Sequence, residues 1–178
     1  MTAISASQVK DLRELSGAGI MECKRALEQT DGDLQKAAEL LKQQGLAKAD
    51  KKSGRAAQQG VVEPYIHGGG RIGVIVEVNC ETDFVARTPD FKSLAHDIAM
   101  QVAATAPRYV SGEEIAPADE AALEREYGSR DQALTAVSLL DQPFIKDPKL
   151  TVRDLVRDRI AKLGENIVVR RFARFEVG

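Results

Sequence analysis

Apolar residues recur at three- and four-residue steps through the first 45 positions, a spacing that predicts three short helices. The first helix ends before residues 17–19, where two glycines permit a turn that other residues resist. The second covers residues 20–28, and the third runs from about Leu34 to Gln44, with Gly45 at its end. The predicted inward-facing residues are Val9, Leu12, Leu15, Cys23, Ala26, Leu27, Leu34, Ala37, Ala38 and Leu41. Residues 1–45 are therefore predicted to form a compact three-helix domain.

A polar linker and a β-hairpin are predicted to follow these helices. Residues 46–60 are rich in Ala, Lys and Gln, and we interpret them as a linker that is helical in part. Beyond the linker the hydrophobic period becomes two, which predicts strands over residues 60–67 and 71–80 joined by the glycine turn 68–70. One face of the second strand carries Ile72, Val74, Val76, Val78 and Cys80.

Three further helices and a last strand complete the predicted fold. Thr88 and Pro89 are typical of a helix start, and a short polar helix is predicted over residues 118–127. Another helix opens at Thr151 and ends at Gly164. The last strand, residues 167–177, is expected to return to the hairpin, whereas no element is predicted over residues 128–150. The long helix after Thr88 is predicted to turn inward Phe91, Leu94, Ala95, Ile98, Ala99, Val102 and Ala103.

These elements predict an α+β protein in two parts joined by a linker. A three-helix domain over residues 1–45 is followed by the linker 46–60 and by a core over residues 61–178. In that core a small antiparallel three-stranded sheet is packed with helices.

The composition offers little for catalysis or for metal binding. Two His and two Cys in 178 residues can hardly build a closed zinc site. Cys23 and Cys80 lie far apart in a chain without an apparent secretory signal, so we expect reduced thiols. No apolar run approaches the length of a membrane-spanning helix. We therefore expect a cytoplasmic protein without a metal or a cofactor and without contact with a membrane.

The charge is distributed unevenly but does not indicate a nucleic-acid clamp. The net charge of −2 divides into an excess of positive charge over residues 1–60 and of negative charge over residues 61–178. Lys48, Lys51, Lys52 and Arg55 could contact RNA, but no aromatic residues lie among them for base stacking. A solvated linker face is the favoured interpretation, and direct binding of nucleic acid is not expected.

Gly68, Gly70 and Gly73 match the spacing of a dinucleotide-binding motif. That motif needs a helix directly after the glycines, because the amides at the helix start bind the pyrophosphate. A strand follows here instead, so we interpret the glycines as the hairpin turn.

The segment 79–87 joins the strongest predicted strand to the best-capped helix. A short connection of this kind normally lies at the surface, yet Phe84 and Val85 are apolar. Two interpretations of Phe84 follow. The favoured one places its ring in the core beneath the helix, since apolar side chains usually find a core. The other presents the ring to a partner protein, as aromatic residues at binding hot spots do.

Four stretches of the sequence resemble the bacterial elongation factor Ts family. They are E-V-N-C-E-T-D-F-V-A-R at 77–87, L-R-E-L-S-G-A-G-I-M-E-C-K-R-A-L at 12–27, Q-P-F-I-K-D at 142–147 and I-A-K-L-G-E-N-I-V-V-R-R-F-A-R-F-E-V-G at 160–178. Each stretch except the short third one is long and specific. The resemblance implies a guanine-nucleotide exchange factor of the GTPase elongation factor Tu, acting without covalent chemistry.

The resemblance also implies a ubiquitin-associated-like N-terminal domain and two groups of partner-binding residues. A docking surface is implied at Lys10, Leu12, Arg13, Gly17, Ala18, Gly19, Ile20, Met21 and Lys24. An exchange segment is implied at Thr82, Asp83, Phe84 and Val85. In this family the phenylalanine acts as a wedge between two helices of the partner, which disturbs the magnesium site and the phosphate-binding loop. Helix geometry adds that either Ile20 or Met21 is exposed, since neighbours cannot both face one small core.

The chain departs from the family pattern at three points. It has material for only one of the two related core halves of the long forms, so it resembles the short forms, some of which act as dimers. Only 11 residues lie between Tyr127 and Leu139, where family members often carry more helix. Ala173 stands where some short forms have a dimer-joining cysteine, which leaves a non-covalent homodimer through the sheet open.

Two other functions remain as alternatives. One is a module that binds RNA or another protein without exchange activity. The other is an enzyme built around Cys80 and Asp83 with His67 or His96. The T-D-F-V segment disfavours the first, and the scarcity of acid–base residues disfavours the second.

Overall fold

The N-terminal residues form the predicted three-helix bundle in a computed structural model, which describes residues 4–178. Residues 1–3 of the predicted domain lie outside that range. Helices α1, α2 and α3 span Ala6–Ser16, Ile20–Gln29 and Leu34–Asp50. The Ser5 side chain caps α1 by accepting one backbone N–H of the first turn, and the Asp33 side chain caps α3 by accepting two. The buried core of the bundle consists of Leu12, Cys23, Ala26, Leu27, Ala37 and Leu41.

Leu15 was predicted to face this core and is instead 70% exposed. It lies three residues beyond Leu12, about 60° around the helix. Leu12 takes the central position, and the narrow core of a small bundle leaves Leu15 at the rim.

Gly45 was predicted to end α3, and this was wrong. The helix continues through Gly45 to Asp50, so the predicted linker begins as helix. A Cβ at position 45 would lie 3.2 Å from the Cβ of Ala161. The glycine therefore serves the close approach of α3 to a C-terminal helix. Ala49, fully buried one turn later, continues the same contact face into the main core.

The predicted hairpin and last strand form one antiparallel sheet. Strand β1 is Gln59–His67, β2 is Ile72–Cys80 and β5 is Ile167–Glu176, and they lie in the order β1-β2-β5. The register pairs Tyr65 with Val74 and Ile75 with Ala173. As predicted, one face of β2 is turned inward: Val74, Val76, Val78 and Cys80 are buried. The fold class, α+β with a small three-stranded sheet, is confirmed.

The inner face of the sheet is covered by two helices whose starts were predicted. A single helical turn, α4, spans Asp83–Ala86, and the long helix α5 spans Pro89–Thr105 behind the Thr88 cap. Helix α8 spans Val152–Leu163, with Thr151 as its cap. All seven predicted inward residues of α5 are buried.

Two further helices form a small lobe beside this core, whereas Val110, Leu139 and Phe144 are buried in the core itself. Helix α6 spans Pro117–Tyr127, close to its prediction, and α7 spans Arg130–Val137. A minimal hairpin follows, with β3 at Pro143–Phe144 and β4 at Asp147–Thr151. Helices α6 and α7 share a separate cluster built on Ile115, Leu123, Ala133 and Val137. Within residues 4–178, no helix has both the length and the apolar character that crossing a membrane requires.

Candidate protein-interaction site

The segment 82–85 is a rigid helical turn and not a loose loop. Strand β2 ends at Cys80, and the Thr82 hydroxyl accepts the N–H of Val85 at 3.4 Å to start α4. Arg87 closes the other end with a 2.6 Å ion pair to Asp83. The Thr88 hydroxyl, cap of the next helix, also donates to the carbonyl of Val85 at 2.8 Å. The segment is therefore fixed between a strand end and a helix start.

Phe84 projects from this turn into solvent. Its 78% exposure is the highest among the large apolar side chains of residues 4–178, so the interpretation of Phe84 as a core residue was wrong. The inward positions of the turn are already filled, because Ala86 is buried and Val85 packs against the main core. Phe84 is thus an aromatic ring held outward by its own neighbours.

Glu165 supports the segment from the turn after α8. One carboxylate oxygen, Oε2, accepts the N–H groups of Glu81 and Thr82 at 3.1 and 3.0 Å. The other, Oε1, accepts the Thr82 hydroxyl at 2.6 Å. Sequence reasoning missed this residue because 83 positions separate it from Thr82. The only sequence signal was its place in the G-E-N stretch that the resemblance covers.

Four of the nine implied docking residues line one groove on the N-terminal bundle. Lys10, Arg13, Ile20 and Lys24 meet there between α1 and α2. Ile4, Ala6 and Val9 complete a groove of about 510 Å³. The groove combines an apolar floor with a rim of three cations, a combination suited to a protein surface that is both apolar and acidic.

The two lysines of this rim are only weakly paired within the chain. Lys10 and Lys24 form only loose pairs with glutamates one turn away, at 3.8 and 3.9 Å between side chains that are more than half exposed. Exposed pairs of this kind contribute little to stability. The two ammonium groups can therefore turn to a bound protein at small cost.

The turn 17–19 presents the start of α2. Gly17 adopts φ of 67°, a left-handed conformation that caps α1. Ile20 and Met21 follow, 57% and 63% exposed, so both are exposed where one was expected. Glu22 braces the turn by accepting the N–H of Gly19 at 3.2 Å. Hydrogen bonds from Lys48 and from this N–H hold the pKa of Glu22 below its usual value.

Leu12 differs from the other implied docking residues. Its side chain is completely buried in the centre of the bundle. It cannot touch a partner without unfolding the domain, so its contribution is to hold α1 against α2 and α3.

Most side chains of the basic cluster in the linker already have hydrogen-bond or ion-pair partners within the chain. Lys48 pairs with Glu22, and Lys52 donates to the carbonyl of Gly164 at 2.7 Å. Arg55 lies 3.6 Å from Glu81. These contacts leave the cluster poorly arranged as a continuous surface for phosphates, which favours its interpretation as part of the fold.

The residues of the enzyme hypothesis do not assemble. Burial, with a further contribution from the Glu165 charge, raises the pKa of Cys80 to about 11, so the thiol is protonated at neutral pH. Both histidines lie beside Tyr65 instead. His67 is 3.3 Å from the Tyr65 hydroxyl, and His96 is 3.0 Å from Glu63. Among residues 4–178, no cluster of three His, Cys, Asp or Glu side chains is arranged to hold a metal ion.

Comparison with known proteins gives a consistent result over nearly the whole chain. A family model described as Elongation factor TS matches residues 2–133. The protein named Elongation factor Ts from Carboxydothermus hydrogenoformans is 53% identical over 195 aligned residues, which cover 98% of this chain and 89% of the relative. The proteins of the same name from Coprothermobacter proteolyticus and Herpetosiphon aurantiacus are each 50% identical, over 98% and 99% of this chain and 98% of each relative.

The alignments also bear on the length of the chain. The aligned length of 195 exceeds the 178 residues of this chain, so the relatives carry residues that it lacks. The identity is nevertheless far above what the assignment of a family requires, and it extends over both the bundle and the core. The chain belongs to the elongation factor Ts family.

Proposed function

We propose that this chain is a guanine-nucleotide exchange factor that binds elongation factor Tu·GDP in the cytoplasm and promotes GDP release during translation elongation. Family membership supports the general activity. The observation that carries the mechanism is Phe84, a large apolar ring exposed to solvent on an anchored helical turn. Exposed aromatic residues on rigid supports are typical of sites that insert into a partner.

The proposed mechanism is coupling between two binding sites, without a covalent step. The 82–85 segment inserts into elongation factor Tu and disturbs its magnesium and phosphate site, which weakens the hold on GDP. By thermodynamic necessity GDP then weakens the binding of the factor by the same ratio. The segment is already ordered in the free chain by the Thr82 cap, by the bond from the Thr88 hydroxyl to the Val85 carbonyl and by the packing of Val85 and Ala86 on the core, so little ordering entropy is lost on binding.

The size of the available energy limits what Phe84 can do alone. Burying one Phe side chain contributes about 1.5–3 kcal/mol. At about 1.4 kcal/mol for each factor of ten, this corresponds to one or two decades in nucleotide affinity. Any larger acceleration needs binding energy from other contacts, and we assign that part to the N-terminal bundle.

The groove between α1 and α2 is the proposed docking surface. Ile20 and Met21 offer exposed apolar area next to the cations Lys10, Arg13 and Lys24. Cations at the rim of an interface accelerate association with an acidic partner and fix its orientation. Docking then delivers the exchange segment to its pocket at a high effective concentration.

We also propose that a second copy of the chain covers the outer face of the sheet. Cross-strand neighbours on that face join into one apolar patch, in which Ile75 pairs with Pro64 and Gly73 with Ile66. The patch continues onto β5, because Ala173 lies opposite Ile75 and Phe175 opposite Gly73. The exposed apolar residues of the patch are Val62, Ile66, Ile75 and Phe175. A patch of this kind on a sheet is typical of a self-complementary interface.

Position 173 is Ala, and both cysteines of the chain, Cys23 and Cys80, are buried, so the proposed dimer is non-covalent. Sedimentation velocity over a range of concentrations should show a dimer that dissociates on dilution, and Ile75→Asp should shift it to the monomer. A wild-type chain that stays monomeric at every concentration tested would remove this part of the proposal.

One experiment tests the main proposal. The purified chain is added to elongation factor Tu loaded with a fluorescent GDP analogue, and release is followed in an excess of unlabelled GDP. The proposal predicts release that accelerates with the concentration of the chain. Unchanged release from an active partner would refute it. A salt-sensitive complex with RNA, without any acceleration, would favour the alternative of a binding module.

A further inference from the structure

We propose that Glu165 is a positioning residue of the exchange segment, an inference that rests on the proposed exchange function. Its carboxylate accepts three hydrogen bonds, two from the N–H groups of Glu81 and Thr82 and one from the Thr82 hydroxyl. Both carboxylate oxygens are used, which fixes the plane of the group relative to the segment. None of these contacts lies on the docking surface.

The Thr82 hydroxyl links Glu165 to the direction of Phe84. It donates to Glu165 and at the same time accepts the N–H of Val85, which begins α4. A hydroxyl has one donor, so the bond to Glu165 holds it in the orientation that leaves its lone pairs facing Val85. A single helical turn is unstable on its own and depends on its cap. Glu165 therefore determines where the ring of Phe84 points.

The same turn, residues 164–166, also forms hydrogen bonds with residues 52–55, which follow the N-terminal bundle. The side chain of Asn166, nearly buried, donates to the carbonyls of Ser53 and Arg55 at 3.2 and 2.7 Å. Its backbone N–H donates to the Glu81 carboxylate at 2.7 Å. Lys52 binds the carbonyl of Gly164. The turn 164–166 thus connects the docking domain with the exchange segment.

Two features indicate that Glu165 positions the exchange segment and does not contact the partner protein directly. Both carboxylate oxygens of Glu165 are taken up by the segment, whereas the Phe84 ring is exposed, so Phe84 and not Glu165 meets the partner. The docking groove lies on other elements, so loss of Glu165 leaves it unchanged. The expected signature is a lower maximal rate of GDP release with an unchanged concentration for half-maximal rate.

The first test compares Glu165→Ala with Glu165→Gln in the GDP-release assay. The alanine variant should lose about tenfold in maximal rate, no more than removal of the Phe84 ring. The glutamine variant should have a maximal rate between those of the alanine variant and the wild type, because its carbonyl can accept both N–H groups but its NH2 group cannot accept the Thr82 hydroxyl. Glu124→Ala, a change of the same type on exposed α6, is the matched control and should equal the wild type.

A double variant separates positioning from a general loss of structure. If Glu165 acts through Phe84, then adding Glu165→Ala to Phe84→Ala should reduce the maximal rate by no more than twofold further. A full, independent tenfold loss in the double variant would overturn the proposal. Equal maximal rates for the wild type and Glu165→Ala would overturn it as well.

A measurement on the free chain keeps this inference distinct from the proposed function. Amide exchange by NMR should be about tenfold faster at Thr82 and Val85 in Glu165→Ala, while exchange in α2 stays the same. Unchanged protection at Thr82 and Val85 would refute the role of Glu165 even if the wild type accelerates GDP release. If the wild type fails to accelerate release, the proposed function fails, whatever the amide exchange shows.

Discussion

The proposed docking groove and the proposed exchange segment both expose apolar side chains, but they are built in opposite ways. The groove spreads over two helices, with exposed Ile20 in its lining, loosely paired lysines at its rim and exposed Met21 next to Ile20 in the chain. The segment carries a single ring, Phe84, on a turn fixed at both ends. Adaptable contacts provide affinity for a surface, whereas a fixed ring can transmit strain to one place in a partner. This difference is the basis of the proposed division between binding and exchange.

The two regions also differ in how they are held. The bundle has a small core of its own, whereas the exchange segment is attached to the main core of the protein. They are joined along the contact of α3 with α8, where Gly45 meets Ala161. Arg157 and Asp50 add a two-point ion pair at 3.0 and 2.7 Å. The groove and the ring are thus carried by a continuous framework.

The largest expected effect is the loss of coupling in Phe84→Ala. GDP should weaken the binding of the wild-type chain to elongation factor Tu strongly, and this weakening should shrink by about one to two decades in the variant. Calorimetry with the nucleotide-free and the GDP-bound partner measures both affinities. Leu15→Ala, which truncates another exposed apolar side chain outside the implied contacts, should keep the wild-type coupling. If GDP weakened binding equally in Phe84→Ala and the wild type, the proposed division between the two regions would be wrong.

The contact between α3 and α8 is tested next by Gly45→Val. The added methyl groups would collide with Ala161, and overpacking of this kind should lower the free energy of unfolding by about 1–3 kcal/mol. Chemical denaturation measures the change. Gly54→Val is the control, because a Cβ at position 54 meets nothing within 4 Å. Ala161→Gly should restore part of the loss, and an unaffected Gly45→Val would show that the helices are not in close contact.

A smaller effect is expected from the rim of the docking groove. Arg13→Glu should raise the concentration for half-maximal GDP release by about fivefold, with the same maximal rate, since a rim charge acts mainly on association. The effect should diminish at high salt. Lys36→Glu makes the same change of charge on α3, away from the groove, and should behave as the wild type. A lower maximal rate in Arg13→Glu would contradict the assignment of this surface to docking alone.

The smallest effect concerns pH and the turn 17–19. Because the folded state lowers the pKa of Glu22 below 4.5, its contribution to stability is complete above that pH and is lost as the pH falls through the lowered value. The unfolding temperature of the wild type should therefore fall more steeply below pH 4.5 than that of Glu22→Gln. Parallel pH profiles for the two proteins would show that Lys48 and Gly19 do not stabilise the carboxylate.

Local signals were sufficient for most of the fold. Thr88 and Thr151 mark helix starts through a hydrogen bond to a residue three positions away, so the sequence alone locates them. The alternation along β2 similarly identifies its buried face. The short hairpin β3–β4 was missed because two- and five-residue strands are too short to show a period.

Other errors arose where packing, and not the residue type, decides the outcome. Gly45 has the residue type of a helix end, and only the approach of Ala161 explains its place inside α3. Phe84 is apolar, and its exposure depends on Val85 and Ala86 having filled the inward positions. The resemblance supplied the docking and exchange residues, but it could not distinguish buried Leu12 from exposed Lys10.

Stopped-flow release of labelled GDP from elongation factor Tu, measured over a wide range of factor concentrations, tests the central claim most directly. The division between docking and exchange predicts that Phe84→Ala lowers the plateau rate by about tenfold or more and leaves the half-saturating concentration within about twofold. A variant that reaches the wild-type plateau at higher concentration would contradict it, because Phe84 would then be one more docking contact.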